Sequence, residues 1–237
     1  MIDLKSAKAR SSITQMEARG YIGHRDLTSY SKAVKTNLKL LKDDNAMNRT
    51  IAAAMLKYRI NKAEVCEALL LQLDRETALY TRMQICDTLA SGDSTTARHL
   101  FKYLGKVGAN QYNSLPSRIS EKTSYPLPRD IVARTLGCMD KSILQPMMKE
   151  LNKATVSEAR ELIDAVGYMC SKNDINKRLI YRHLSGYIEI HTDDVCRWKT
   201  LIAYGYLKPE SLKELEKIAS TTLNPIFKAE ALKAIAK

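Results

Sequence analysis

Residues 128–148 read Pro-Arg-Asp-Ile-Val-Ala-Arg-Thr-Leu-Gly-Cys-Met-Asp-Lys-Ser-Ile-Leu-Gln-Pro-Met-Met, and this stretch decides the fold class. It consists of two amphipathic segments separated by a polar break at Asp140. In the second segment, apolar side chains recur three and four positions apart, at Ile143, Leu144 and Met147. Such spacing matches the helical period of about 3.6 residues. The stretch therefore predicts two consecutive helices joined by a short turn.

A short pattern within this stretch recurs along the chain. Residues 135–139 read Thr-Leu-Gly-Cys-Met, residues 165–169 read Ala-Val-Gly-Tyr-Met, and residues 203–207 read Ala-Tyr-Gly-Tyr-Leu. Each copy places a glycine near the end of an amphipathic stretch. Glycine in a helix costs about 1 kcal/mol relative to alanine, so we expect it to permit the close approach of a neighbouring element.

The same helical spacing extends to most of the sequence. It predicts first helices near residues 46–59, 77–91, 129–139, 157–171, 193–206 and 225–236, with partners near 62–75, 94–107, 141–152, 175–188 and 209–220. Residues 5–18 and 27–42 are predicted to form an N-terminal helical pair. We therefore expect an N-terminal pair in residues 1–45 that packs on an array formed by residues 46–237, with an inserted loop at residues 108–128.

The helical pairs resemble HEAT repeats of the bacterial HEAT-like type. The resemblance is clearest in residues 128–148, extends to 46–76 and 157–188, and covers roughly residues 46–237. It implies an all-α fold, namely a right-handed α-α superhelix (a HEAT/ARM-like solenoid) of about five to six helical pairs. It also implies that the second helices line the concave face, and that the protein binds a partner rather than performs chemistry.

The chain is basic, with 38 Lys and Arg residues against 26 Asp and Glu residues and a net charge of +12. Residues 1–62 hold 13 basic and five acidic residues, a net of +8. An excess of this kind attracts polyanions. A solubilising charge excess explains the same numbers.

Two groups of residues are candidate binding sites. The first is a basic track on the second helices, where cations four positions apart share a face: Arg98, Lys102, Lys106, Lys141, Lys149, Arg178 and Arg182. The alternative is an ordinary solvated face, interrupted by Glu150 and Glu214.

The second group lies in and beside the inserted loop, which is too long for a helix-pair connection. Its aromatic and basic residues suit interface anchoring or base stacking: Tyr112, Arg118, Lys122, Tyr125 and Arg129. The alternative is that the tyrosines merely cover an edge of the repeat array. Asp130 is expected to cap the next helix and so fix the end of the loop.

Patterns for catalysis or metal binding are not found in the sequence. We expect no enzyme activity, no metal site and no cofactor. The five cysteines are widely spaced within apolar patterns, which predicts small buried hydrophobic residues of a reducing compartment. We also expect no signal peptide, no membrane span and a cytoplasmic location.

The sequence therefore predicts a non-enzymatic interaction scaffold that binds a protein partner through the concave face and the 108–128 loop. The alternative is a nucleic-acid-binding protein with a basic concave groove, which resembles the HEAT-like alkylpurine DNA glycosylases in size, charge and helical character. Trp198 and Asp130 are the groups comparable with that family, and the spacing around Trp198 favours a core position. The oligomeric state is left open, because the final helix either caps the array or pairs with a second copy.

Overall fold

A computed structural model describes residues 12–237 of the protein, and this part of the chain is all-helical. The α-helices are α1 (Ile13–Ala18), α2 (Val34–Leu40), α3 (Ala46–Leu56), α4 (Ala63–Arg75), α5 (Leu79–Ala90), α6 (Ser94–Phe101), α7 (Ile131–Leu136), α8 (Leu144–Leu151), α9 (Val156–Cys170), α10 (Lys177–Ile190), α11 (Asp194–Tyr204), α12 (Leu212–Thr221) and α13 (Pro225–Ala236). Short 3-10 helices follow α3 and precede α8. The prediction of an all-α fold is confirmed.

The helices pack in a regular order. In the odd-numbered series, α3 packs on α5, α5 on α7, α7 on α9, α9 on α11 and α11 on α13. The even-numbered helices from α2 to α10 contact one another in the same order. Helices α1 and α2 both pack on α3. The first residues of the N-terminal helix predicted at 5–18 lie outside the described residues.

One apolar core runs through these contacts, from Leu41 at the end of α2 to Ala234 in α13. A second, smaller cluster joins Tyr125 to Val195, Trp198 and Ile202 on α11. No helix within residues 12–237 is long and apolar enough to cross a lipid bilayer.

Several helix ends follow the rules for capping. Asp130 accepts a hydrogen bond from Ala133 N at the start of α7, and Asp193 accepts one from Cys196 N at the start of α11. Both carboxylates satisfy backbone N–H groups that have no partner within the helix. Pro225 occupies the first turn of α13, where its missing N–H costs nothing.

Several predicted helices are shorter than expected; the one predicted at 129–139, for example, spans only Ile131–Leu136. In two further cases a turn explains the difference. The helix predicted at 94–107 ends at Phe101, and Gly105 then adopts a φ of +70°, a left-handed conformation that ends regular helix. The helix predicted at 27–42 begins only at Val34. Upstream of it, Asp26 accepts hydrogen bonds from the backbone and side chain of Thr28, which fix a turn.

Two of the three recurring glycines lie at close contacts between elements. A β-carbon at Gly137 would lie 2.7 Å from Cδ1 of Tyr168 on α9. A β-carbon at Gly167 would lie 2.7 Å from the ring carbons of Tyr125. Both distances are too short for real carbon contacts, so the prediction of close approach is confirmed at these two positions.

Gly167→Ala is therefore expected to destabilise the protein by about 1–3 kcal/mol, because the added methyl group forces the Tyr125 ring to move. The measurement is the free energy of unfolding in urea. Gly186 on α10 is the matched control, because a β-carbon there meets no atom within 4 Å. Gly186→Ala should stabilise the protein by about 0.5–1 kcal/mol through helix propensity alone. Equal effects of the two changes would contradict the packing at Gly167.

The prediction that all five cysteines are buried is wrong at Cys138, which is exposed. Cys138 follows Gly137, beyond the end of α7, and therefore lies off the apolar face of the helix. Cys66, Cys170 and Cys196 are buried, whereas Cys86 is half-buried. Burial raises the pKa of both the Cys170 and Cys196 thiols to about 12.

Candidate ligand-binding cavity

The segment between α6 and α7 lies across one face of the helical array. Its residues 108–130, hereafter the loop, are held by hydrogen bonds to α9 and α13 and to the turn after α11. Arg160 Nη1 donates to Asn113 O at 3.4 Å, and Tyr206 Oη donates to Thr123 O at 3.3 Å. Lys233 Nζ donates to the carbonyl of Ser120.

Asp130 fixes the C-terminal end of the loop, as the sequence predicts. Its Oδ1 caps α7, and its Oδ2 accepts hydrogen bonds from Gly105 N at 3.1 Å and Gln111 Nε2 at 2.9 Å. The carboxylate is fully buried. It therefore joins both ends of the connection to α7, and these contacts account for its position.

The tyrosines of the loop face the helices. Tyr112 packs edge-on against Trp198, with ring centroids 4.9 Å apart. Tyr125 lies against Tyr168 and Tyr206, and its hydroxyl donates a hydrogen bond to Asp164 Oδ1 at 3.0 Å. Burial and the negative charge of Asp164 raise the pKa of Tyr125 well above its usual value. Tyr125 is therefore enclosed between the loop and the helices and cannot be the surface contact that was expected, whereas Tyr112 is half-buried.

A cavity of about 540 Å³ lies between the loop and helices α9, α11 and α13. Its volume falls within the range of small-molecule sites, and its lining is mixed, with about as many polar as apolar residues. The walls include Pro116, Ile119, Pro126, Leu127 and Ile202. Asp164, Trp198, Lys199 and Glu230 form the polar floor.

Lys199 is the centre of a buried ionic cluster in this floor. Its side chain is only 1% exposed, and its Nζ lies 2.9 Å from Glu161 Oε2 and 3.3 Å from Asp164 Oδ2. Burial disfavours the charge of Lys199, but Asp164 and Glu161 outweigh that effect and raise its pKa. Burial also raises the pKa of Glu161 to about 6, although Lys199 opposes this. Charged groups so deeply buried beside a cavity are typical of functional sites.

Trp198 and Glu230 form the other half of the floor. Trp198 Nε1 donates to Glu230 Oε2 at 3.0 Å, which links α11 to α13. Trp198 is 4% exposed, so the interpretation of this residue as part of the core is confirmed. Burial raises the pKa of Glu230.

The cations of the loop surround the cavity. Arg118, Lys122 and Arg129 all line it and are exposed. The Arg129 guanidinium lies over the Tyr112 ring, 4.0 Å from its centroid. Within residues 12–237, none of the three forms an ion pair. Four of the five predicted loop residues, all but Tyr125, therefore line the cavity, and the three cations among them form a cationic rim, hereafter the rim.

The basic track is placed differently. Its seven residues are exposed on or near α6, α8 and α10. Lys106 pairs with Glu158 at 3.3 Å, and Lys141 Nζ donates to Asp174 O at 3.1 Å. Arg98, Lys102, Lys149, Arg178 and Arg182 complete the track. The even-numbered helices thus carry a second cationic surface, separate from the helices beneath the loop.

Arg160 connects the loop to the start of α11. It forms two hydrogen bonds to Asp193, at 3.0 Å and 2.6 Å, in addition to its bond to the loop backbone. The hydrogen bond from Arg160 lowers the pKa of Asp193 from 3.8 to about 2. A carboxyl whose pKa is lower in the folded state stabilises the protein above its unfolded pKa and loses that contribution as pH falls.

Acidification from pH 4 to pH 2 should therefore remove on the order of 2 kcal/mol of stability through Asp193 alone. Asp193→Asn keeps the helix cap but removes the titrating group. We expect the variant to be less stable than wild type at pH 7 and to lose less stability between pH 4 and pH 2. Urea unfolding at a series of pH values measures both. Parallel curves for the two proteins would contradict the assignment.

The chain matches no protein-family model, and searches among curated proteins and solved structures return no significant match. Sequence analysis did not identify Glu161, Asp164, Lys199 and Glu230 as site residues. One feature of the sequence could have indicated them: they lie in helices that are apolar around most of their circumference, and a charged side chain in such a helix is expected to be buried.

Proposed function

We propose that this protein binds a nucleic acid strand through the cavity beneath the loop. The observation that supports the proposal is the rim, where Arg118, Lys122 and Arg129 surround a cavity without any acidic partner among the described residues. Guanidinium and ammonium groups left free at an opening attract phosphate groups. The net charge of +12 favours the same class of ligand.

The interior of the cavity is suited to the base of a nucleotide, as the rim is to its phosphate. Its apolar wall residues accommodate a planar ring, and Glu230 offers a carboxylate oxygen at the floor. A volume of about 540 Å³ exceeds that of one nucleobase. A nucleotide could therefore place its phosphate groups against the cationic rim and its base inside the cavity.

The proposal of a protein partner, which the sequence analysis favoured, has less support around this cavity. Leu127 is the exposed large apolar side chain of the loop, at 55% exposure. The centre of a protein interface is usually apolar and poor in charge, whereas the rim is cationic. A scaffold role remains a prediction for the surface that carries the basic track.

We also propose that the helices form a HEAT-like solenoid. The support is the order of the contacts, in which odd-numbered helices pack on odd-numbered ones and even-numbered helices from α2 to α10 follow the same order. Pairs stacked in this way bury one continuous core, as repeat arrays do. The loop then covers the face of the first helices, from α9 to α13.

No catalytic role is part of the proposal. The two groups comparable with the alkylpurine DNA glycosylases are both enclosed: Asp130 caps α7 and holds the loop, and Trp198 is packed under Tyr112. Neither presents a free reactive group at the rim.

The test is fluorescence anisotropy with a labelled single-stranded oligonucleotide over a series of salt concentrations. Three phosphate contacts on a single strand predict a slope of about −2 or steeper in log affinity against log salt, at about −0.7 for each contact. We expect micromolar or tighter binding at about 50 mM salt. The absence of binding at that salt concentration would overturn the proposal.

A further inference from the structure

Glu230 has an unusual position in the floor of the cavity. The residue is 2% exposed, and its Oε2 accepts the hydrogen bond from Trp198. Its Oε1 lies 3.9 Å from Lys233 Nζ, beyond hydrogen-bond distance, and Lys233 instead donates to the backbone of the loop. Within the described chain, Oε1 therefore receives no hydrogen bond. This oxygen is not among the enclosed polar atoms that lack a partner, so it is accessible from the cavity that Glu230 lines and is available to a ligand.

The other carboxylate that lines the cavity is already occupied. Asp164 accepts a hydrogen bond from Tyr125 at Oδ1, and its Oδ2 lies 3.3 Å from Lys199 Nζ. A ligand that hydrogen-bonded to Asp164 would have to compete with these partners. Glu230 is thus the carboxylate of the floor with a free oxygen.

We infer that the Glu230 carboxylate hydrogen-bonds to a base of the bound strand and that the cavity prefers an unpaired guanine. This inference rests on the proposed function. An ionised carboxylate only accepts hydrogen bonds, so it selects a ring edge that donates them. The Watson–Crick edge of guanine presents N1–H and N2–H side by side, and that edge is free only when the base is unpaired. Oε1 would accept one of these hydrogen bonds, and Oε2, which keeps a second lone pair beside its bond from Trp198, would accept the other.

The other bases fit a carboxylate less well. In adenine and cytosine the amino group stands next to a ring nitrogen that is itself an acceptor, and that lone pair would repel the second carboxylate oxygen. In thymine a single N–H lies between two carbonyl oxygens. A buried acceptor left without a donor by the wrong base adds to the discrimination.

The test uses labelled thymidine oligonucleotides whose central base is guanine, hypoxanthine, adenine, cytosine or thymine, bound to the full chain. We expect guanine to bind about tenfold more tightly than the others. Replacement of guanine by hypoxanthine, which lacks the amino group, should remove most of that preference. Trp198 is the one tryptophan of the sequence and contacts Glu230, so its fluorescence should change more with guanine than with thymine.

Glu230→Gln can still accept the hydrogen bond from Trp198, but it has one acceptor oxygen instead of two. We expect this variant to lose most of the guanine preference. Glu216→Gln, on the exposed side of α12, is the matched control and should keep it. Equal binding of all five oligonucleotides, or an unchanged preference in Glu230→Gln, would overturn the inference while the proposed function stood. The absence of binding to every oligonucleotide would overturn both.

Discussion

Lys199→Met is expected to lower the free energy of unfolding by about 3–5 kcal/mol at pH 7. The substitution keeps the apolar stem and removes the charge that pairs with Glu161 and Asp164. Both carboxylates would then remain buried without a counterion. Breaking one side of a buried pair is costly because the remaining charge has lost its hydration without compensation.

The pH dependence of stability provides a second test of the Lys199→Met substitution. Without Lys199, burial and the nearby charge of Asp164 raise the pKa of Glu161 unopposed, so the folded variant takes up a proton more readily than the unfolded chain. Its stability should then increase as the pH falls from 8 towards 5, relative to wild type.

Lys217→Met is the control, since Lys217 makes an exposed contact with Glu214. This contact should contribute well under 1 kcal/mol. If Lys199→Met cost no more than Lys217→Met, the cluster would be accessible to water, and the description of a buried floor would be wrong.

Much of the fold could be predicted from the sequence because local periodicity determines it. The spacing around Ile143 and Met147 predicts the helix that the structure places at Leu144–Leu151. The helices predicted at 157–171 and 193–206 begin and end within a few residues of α9 and α11. Errors occur where a single turn outweighs the pattern, as at Gly105, where the backbone leaves the helical region.

The residues of the rim could also be predicted from the sequence, because Arg118, Lys122 and Arg129 lie in or beside one long connection. The floor could not, because it is formed by tertiary packing. Asp164, Lys199 and Glu230 belong to three helices, and only the packing of α9, α11 and α13 side by side brings them to one cavity. A scan along the sequence shows charged residues at each position but not that they meet.

Mutations in the rim and in the track are expected to have different effects on the affinity for nucleic acid. Charge reversal in the rim, with Arg118→Glu, Lys122→Glu and Arg129→Glu combined, should weaken binding of a single-stranded oligonucleotide by on the order of 100-fold. These side chains are exposed, so the variant should keep its helical circular dichroism and its thermal midpoint within a few degrees. The loss of affinity then reports on the contact with phosphate.

The most direct test compares that rim variant with a track variant that carries Arg98→Glu, Lys102→Glu, Arg178→Glu and Arg182→Glu. Fluorescence anisotropy at about 0.15 M salt is suitable, since distant exposed charges are largely screened there. We expect the rim variant to lose on the order of 100-fold in affinity and the track variant to stay within about threefold of wild type. Loss of binding in the track variant with the rim variant unaffected would contradict the account and place the nucleic acid on the even-numbered helices.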